Sequence, residues 1–386
     1  MRRVLILGFD GYIGWALTNN LLTTNRYEVA GADNYSRRYR VQDLGSDSLT
    51  LIRDKVSRLE ALNEHDKFIK DAYLGNIDRE SFFDFIREIK PDVIIHLAEQ
   101  PSAPWSMAGV NEAMETQRSN VLGTLNLLHA MAEHCPDAHL IKLGSMGEYG
   151  TPDCDIPEGM IPKSCMNSGD RDCMLGGLPF PRSPGSWYHL SKVHDTHNII
   201  FACNNYGLTS TDIMQGVVFG LNQTDPTSPY ITRFDYDECF GTAINRFCLQ
   251  AVIEHPITVY GSGKQTRGYL PLRDSLQCIQ LAIDNPPPKG TYRTLNQFEN
   301  VYKLNELADL VVRQANQHLG IHAGIDHLPN PRKESESHYY NPAHQTLFDL
   351  GYKPSDMEVE VAVLLRQLNK IKSRAIPEVI MPYIKW

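Results

Sequence analysis

The junction between an apolar run at residues 4–8 and Gly8-Phe9-Asp10-Gly11-Tyr12-Ile13-Gly14 constrains the fold of this chain more than any other stretch. Gly8, Gly11 and Gly14 permit a tight turn, close approach of the backbone to a pyrophosphate, and close packing of a following helix. Between a strand and a helix, such a turn presents the free N–H groups of the helix N-terminus to an anion. Asp33 follows at the end of the next expected strand, about twenty residues on, where a carboxylate can accept hydrogen bonds from an adenosine ribose. The expected cofactor is therefore NAD. Arg37 and Arg38 lie just beyond and would suit the extra phosphate of NADP, or form a solvated charged loop.

Short β-rich runs then alternate with segments of helical period, the pattern of a parallel sheet wrapped by crossover helices. Strands are expected at 4–8, 28–33, 72–77, 93–98, 140–144 and 211–218, and helices near 12–24, 79–90, 111–134 and 187–206. Val93-Ile94-Ile95 is the continuous apolar run that a strand buried on both faces requires. The expected fold class is α/β: a Rossmann-type doubly wound parallel sheet with a smaller C-terminal substrate domain. Residues 1–220 form the NAD-binding domain in this reading, and 151–186, rich in Pro, Gly, Asp and Cys, an irregular lid-like excursion. Residues 221–386 form mostly the substrate domain, with some C-terminal segments returning to the first.

Length and composition fit that scheme, since 386 residues exceed what one core usually organises. Thirty-seven Lys and Arg against 46 Asp and Glu leave a formal charge of −9, a field that repels polyanions, so no nucleic-acid partner is expected. A small anionic substrate can still bind where a few arginines converge. The eight cysteines form no C-x-x-C pair. Reduced thiols in the cytoplasm are the plain reading. The spacings of 11 and 8 between Cys154, Cys165 and Cys173 match no usual zinc framework, and no metal is expected. With the first strand at Val4 and no apolar run near the roughly 20 residues of a membrane helix, neither a leader nor membrane insertion is expected.

Tyr188-His189-Leu190-Ser191-Lys192 has the Y-x-x-x-K spacing, which puts phenol and ammonium one helical turn apart on one face. A tyrosine that titrates near 10 needs such a positive neighbour before it can take a hydroxyl proton at neutral pH. Ser145, at the end of the 140–144 strand, stands where open α/β sheets present ligands. Its hydroxyl can orient a sugar hydroxyl, or serve simply as a cap. Ser145, Tyr188 and Lys192 together are the Ser/Thr-Tyr-Lys constellation of the short-chain dehydrogenases.

Longer blocks carry a more specific likeness. His96-Leu97-Ala98-Glu99-Gln100, Ser102-Ala103-Pro104-Trp105-Ser106-Met107, Lys142-Leu143-Gly144-Ser145-Met146-Gly147-Glu148-Tyr149-Gly150 and Tyr188-His189-Leu190-Ser191-Lys192-Val193-His194-Asp195 resemble the UDP-sulfoquinovose synthase family. So do Phe234-Asp235-Tyr236-Asp237, Asn245-Arg246-Phe247, Gln265-Thr266-Arg267-Gly268-Tyr269-Leu270, Asn330-Pro331-Arg332 and His338-Tyr339-Tyr340-Asn341. That family belongs to the extended short-chain dehydrogenase/reductases.

The resemblance implies an NAD-dependent enzyme, formally a hydrolase acting on carbon–sulfur bonds. It would oxidise UDP-glucose at C4, eliminate water across C5 and C6, add sulfite at C6 and reduce the ketone again. Free sulfite or a sulfite-delivering protein would be the partner, and a homodimer is expected through the helices at 111–134 and 187–206. Among the residues, the resemblance makes Tyr188 the base, Lys192 its tuner, Ser145 the orienting hydroxyl and His189 a candidate for the elimination. Cofactor contacts fall on Gly8, Gly11, Tyr12, Ile13, Gly14, Asp33, Asn34, Arg37, Arg38, Asn76, Ile77, Leu97, Ala98, Glu99, Asn120, Leu143, Tyr188 and Lys192, the last holding the nicotinamide ribose. Substrate contacts fall on Gln100, Ser145, Met146, Gln215, Asn245, Arg267 and Tyr269.

Five positions depart from expected patterns. Met146 and Gly147 stand where ordinary 4,6-dehydratases carry an Asp-Glu pair. Pro101 replaces an arginine, Ser145 a threonine, and Asn76 an aspartate that meets the adenine amino group. A UDP-sugar 4-epimerase or dehydratase that uses no sulfite is the alternative; a non-catalytic NAD-binding scaffold is a further one.

Overall fold

The computed structural model describes residues 1–70, 72–161, 177–335 and 337–385. Part of the expected lid-like excursion, with Cys165 and Cys173, lies outside them. Seven parallel strands form the main sheet: β1 (Arg2–Leu7), β2 (Tyr27–Asp33), β3 (Tyr73–Leu74), β4 (Val93–His96), β5 (His139–Ser145), β6 (Thr209–Gln215) and β7 (Tyr292–Gln297). Their spatial order is β7-β6-β5-β4-β1-β2-β3. The order reverses beside β1, and that crevice is where doubly wound sheets bind their ligands.

Side-chain alternation explains why both faces are covered. Val4 and Ile6 of β1 join one core with Trp15, Leu17, Leu276 and Ile279. Leu5 and Leu7 join the other with Ile94, Leu127, Met131 and Ile199. Helix α1 (Tyr12–Thr23) and the Leu272–Asp284 helix therefore cover one face. The Glu80–Ile89 helix, α2 (Val110–Gln117), α3 (Gly123–His134) and α4 (Trp187–Tyr206) pack on the other side. A third core, around Phe234, Phe247, Val259, Leu307, Val361 and Leu365, holds the part that caps the carboxyl ends of the strands.

Three expected elements change. The 72–77 strand shortens to Tyr73–Leu74, because an edge strand has β2 as its only neighbour and bonds it through Ala32 and Asp33 alone. The 211–218 strand is broken at Gly216, whose N–H turns to the carbonyl of Gln297 while Val217–Phe219 joins a second, three-stranded sheet. The 111–134 helix is interrupted by a π-turn, Arg118–Leu122, between α2 and α3. π-Turns occur often at functional sites, and this one carries the fully buried Asn120. The seventh strand, β7, lies beyond residue 220 and was absent from the expected set; Tyr-Arg-Thr-Leu-Asn-Gln is too polar to announce a buried strand. No helix among the described residues is long and apolar enough to cross a membrane.

Candidate active site

The carboxyl ends of β1, β2, β4, β5 and β6 open onto one cavity of about 1280 Å³, closed on its far side by the capping part. Gly8, with φ +87°, forms its floor; a Cβ there would lie 2.8 Å from the carbonyl carbon of Leu97, so no larger residue fits the turn. Gly11, Tyr12, Ile13 and Gly14 continue the wall. This cradle suits a pyrophosphate at the N-terminus of α1.

Asp33 lies at the end of β2, its carboxylate accepting the N–H groups of Tyr35 at 2.6 Å and Asp10 at 2.8 Å. Burial, and then the nearby Asp10 carboxylate, push it up to about 6. Asn34 donates to the Asn76 amide oxygen at 2.6 Å, and both side chains line the cavity beside Ile77. Arg37 and Arg38 are committed elsewhere. Arg37 pairs with Asp235 at 2.7 Å and stacks 3.8 Å from the Phe240 ring centre. Arg38 pairs with Asp10 at 2.6 Å and is absent from the cavity wall, correcting its assignment as a cofactor contact. With both guanidinium charges spent on carboxylates, neither Arg37 nor Arg38 is left for a 2′-phosphate, and the residues fit NAD.

Leu97, Ala98 and Glu99 follow β4, and Leu143 lies within β5; all four line the same cavity. Ser145 ends β5 and caps the next turn, accepting the Gly147 N–H at 3.1 Å. Ser186 caps α4, so Tyr188 enters on its first turn and Lys192 one turn later. Lys192 Nζ donates to the Leu143 carbonyl at 2.6 Å and lies 2.5 Å from Glu99 Oε2. Burial first, and the Glu99 and Glu148 charges next, push the Tyr188 phenol far above its ordinary value, against a smaller lowering by Ser145.

Beneath these groups sits a buried charge cluster. Lys142 lies 3.5 Å from Asp212 and 3.6 Å from Glu148. Glu148 also meets Arg182 at 3.3 Å and accepts the Ser145 N–H at 3.0 Å. Being fully buried and absent from the wall, Glu148 cannot stand in for the missing Asp-Glu pair.

His189 follows Tyr188 and lines the cavity. Its Nδ1 is 2.9 Å from Ser186 Oγ, and its Nε2 occupies the room left by Gly147, where a Cβ would be 2.2 Å away. Burial, then the positive charges of Arg332 and Arg267, push its pKa down to about 3. The imidazole is neutral at ordinary pH.

At the opposite end Gln215, Arg246, Gln265, Arg267, Tyr269 and Arg332 converge, with Met146 and Pro101 on the walls between. Arg246 hydrogen-bonds the Tyr260 hydroxyl and the Thr258 carbonyl. Arg267 pairs with Glu334 at 2.5 Å and meets His338 at 2.8 Å.

Three more assignments need correction. Asn245 does not reach the cavity; it accepts the Gly220 N–H at 3.0 Å, and its neighbour Arg246, about 100° further round the helix, faces in instead. Gln100 is fully buried and clasps Ser102 through both ends of its amide. Asn120 bonds the N–H and carbonyl of Gln100 and the Ser191 hydroxyl, so it braces the wall from behind. Arg182, Arg246 and Arg332 were missed as lining residues. The last two lie within quoted motif blocks, whereas no local pattern marks Arg182.

A family model for the NAD dependent epimerase/dehydratase family matches residues 4–296. A UDP-sulfoquinovose synthase of Sulfolobus acidocaldarius is 40% identical over 100% of this chain and 97% of its own length. The chloroplastic UDP-sulfoquinovose synthase of Spinacia oleracea is 44% identical over 100% of this chain and 79% of its own. A dTDP-glucose 4,6-dehydratase of Escherichia coli is 23% identical over 75% of this chain and 70% of its own. Among solved structures, the UDP-glucuronic acid 4-epimerase of Bacillus cereus with UDP-glucuronic acid and NAD superposes with a TM-score of 0.70 at 18% identity, over 96% of this chain and 99% of that one.

Proposed function

The chain belongs to the NAD dependent epimerase/dehydratase family and within it to the UDP-sulfoquinovose synthases, and from that premise we propose that it converts UDP-glucose and sulfite to UDP-sulfoquinovose and water. The observation that carries the reading is the meeting of Ser145, Tyr188, Lys192 and the glycine cradle in one cavity whose far end gathers three arginines. NAD, its cofactor, supplies when bound a hydride acceptor that is regenerated within each turnover.

Arg246, Arg267 and Arg332 hold the diphosphate of the nucleotide sugar by charge-assisted hydrogen bonds. Ser145 orients the C4 hydroxyl, and Tyr188 removes its proton. A ketone at C4 acidifies the C5 proton, so a base near position 147 can start loss of the C6 hydroxyl as water. His189 is that base: it is neutral, and its Nε2 fills the room that a side chain at 147 would need. Burial is the larger cause of its low pKa, and the diphosphate would offset the smaller part that comes from Arg332 and Arg267. The enone accepts sulfite at C6, and reduction at C4 closes the cycle.

A second reading, a UDP-sugar 4-epimerase or dehydratase without sulfite, is favoured by one observation: Pro101 lines the cavity and brings no charge to a sulfite anion. Mass spectrometry of the protein incubated with UDP-glucose, with and without sulfite, separates the two. A sulfite-dependent sulfonated UDP-hexose is the expected product, and UDP-galactose or a dehydrated sugar without sulfur would overturn it. In the same assay His189→Asn should stop short of sulfonate formation; full sulfonate yield would remove His189 from the elimination.

The reading includes a homodimer and a cytoplasmic, reducing setting. Exposed Val110, Met114, Leu122, Leu125, Phe201 and Tyr206 on and between α2, α3 and α4 support the first. Six free cysteines among the described residues support the second. Light scattering at a monomer mass would remove the dimer.

A further inference from the structure

Residues 381–385 are remote in sequence from the strands that open onto the cavity, yet two of them form part of its wall. The chain arrives there from the third core, where Ile380 is fully buried at the end of a short 3-10 helix, Pro377–Ile380. Met381 then sets the backbone extended. In an extended chain alternate side chains share a face. Pro382 and Ile384 accordingly face the cavity, while Tyr383, 72% exposed, is turned to solvent.

One carboxylate holds this segment. Glu238 Oε2 accepts the N–H groups of both Tyr383 and Ile384, the latter at 3.0 Å. The Glu238 N–H is bonded in turn to the Val379 carbonyl at 3.0 Å. A single residue therefore grips the chain on both sides of Pro382, which has no N–H of its own to offer. Asp237 fixes the turn that carries Glu238, its carboxylate accepting the N–H groups of Cys239 at 3.0 Å and Phe240 at 2.9 Å. Ile384 adds an apolar anchor against a small cluster of Val41, Trp105, Cys239 and Phe240. The two aromatic rings of that cluster carry arginines of the neighbouring wall, Arg37 at 3.8 Å from Phe240 and Arg40 at 4.9 Å from Trp105. Both arginines belong to the Ser36–Asp43 helix, which follows Asp33 and the end of β2. The segment thus bridges that helix and the 238–240 turn of the capping part, on the side where Asp33 would receive the adenosine ribose.

We propose that residues 381–385, latched by Glu238, form a strap that retains NAD in the cavity between removal of the hydride and its return. The hydride taken from C4 has to come back to the same sugar, and NADH that left in between would strand that sugar as a ketone. A sugar nucleotide must enter and leave at every turnover, whereas the dinucleotide need not. A closure on the adenosine side therefore slows only the exchange that would break the cycle. The proposal rests on NAD as the cofactor and on a hydride that returns, not on the identity of the nucleophile at C6.

The test loads the protein with radiolabelled NAD, chases it with excess unlabelled NAD and follows the label that stays bound, with no sugar present. Glu238→Ala should lose the label about ten- to a hundredfold faster than the parent, as expected when two charge-assisted hydrogen bonds no longer close the segment. Ile384→Ser keeps the latch and removes the apolar anchor, and should speed the loss by a smaller factor. Affinity for UDP, measured by calorimetry on the same proteins, should not weaken, because Arg246, Arg267 and Arg332 keep their places. Label loss from Glu238→Ala at the parent's rate would overturn the proposal. Equal weakening of NAD and UDP binding would overturn it too, since the capping part would then have loosened as a whole. If Glu238→Ala does not fold, Ile384→Ser decides alone, and label loss at the parent's rate overturns the strap. A parent that forms no sulfonate but shows these differences would count against the function proposed above and leave the strap standing.

Discussion

The two ends of the cavity are built on opposite electrostatic principles. At the sheet end, among the described residues, the buried ammonium and guanidinium groups have a carboxylate within 3.6 Å: Lys192 with Glu99, Lys142 with Glu148 and Asp212, Arg182 with Glu148. At the far end, among the described residues, Glu334 answers Arg267, while Arg246 has no carboxylate in contact and hydrogen-bonds a hydroxyl and a carbonyl. A balanced set of charges can pass a proton in either direction. A guanidinium that meets no carboxylate holds an anion and leaves the chemistry alone.

If that contrast is right, substitutions at the two ends should divide between kcat and KM. Tyr188→Phe should have the largest effect, lowering kcat by about 10²–10⁴-fold in steady-state assays with UDP-glucose, with little change in KM. An unchanged kcat would break the contrast at the sheet end. Arg246→Ala should raise KM about ten- to a hundredfold with kcat nearly kept, since a charged hydrogen bond contributes roughly 1.5–3 kcal/mol. A fall in kcat with KM unmoved would show that the arginine end takes part in the chemistry.

The smallest expected effect lies at the cofactor end and depends on pH. Asp33 is pushed up to about 6, so it takes a proton as pH falls through that value and loses acceptor capacity for ribose hydroxyls. NAD affinity, measured by calorimetry, should therefore weaken about tenfold for each unit below about pH 6, until the protonated form binds on its own account. Asp33→Asn should bind weakly and without that slope; a slope that survives the substitution would assign it to another group.

The legible parts of the site are those where the backbone itself is the functional element. Gly8 is readable because only glycine accepts its φ and its approach to Leu97. Tyr188 and Lys192 are readable because a single helix fixes their spacing. Asn245 and Arg246 show where reading stops: both sit in one recognisable block, yet one bonds Gly220 and the other faces the cavity. Their order on the helix is local, but which of them points inward depends on how that helix docks against the capping core.

The sequence by itself determined the parallel sheet, the glycine turn, the acidic end of β2 and the helix that carries Tyr188 and Lys192, because each follows from residue-by-residue backbone preference and periodicity. Only the tertiary structure decided that Arg37 and Arg38 are spent on Asp235 and Asp10, that β7 returns to complete the sheet, and that Glu99 meets Lys192. Those outcomes rest on contacts between residues tens to hundreds of positions apart, where burial leaves each charge no choice but to find the partner that the fold brings within reach.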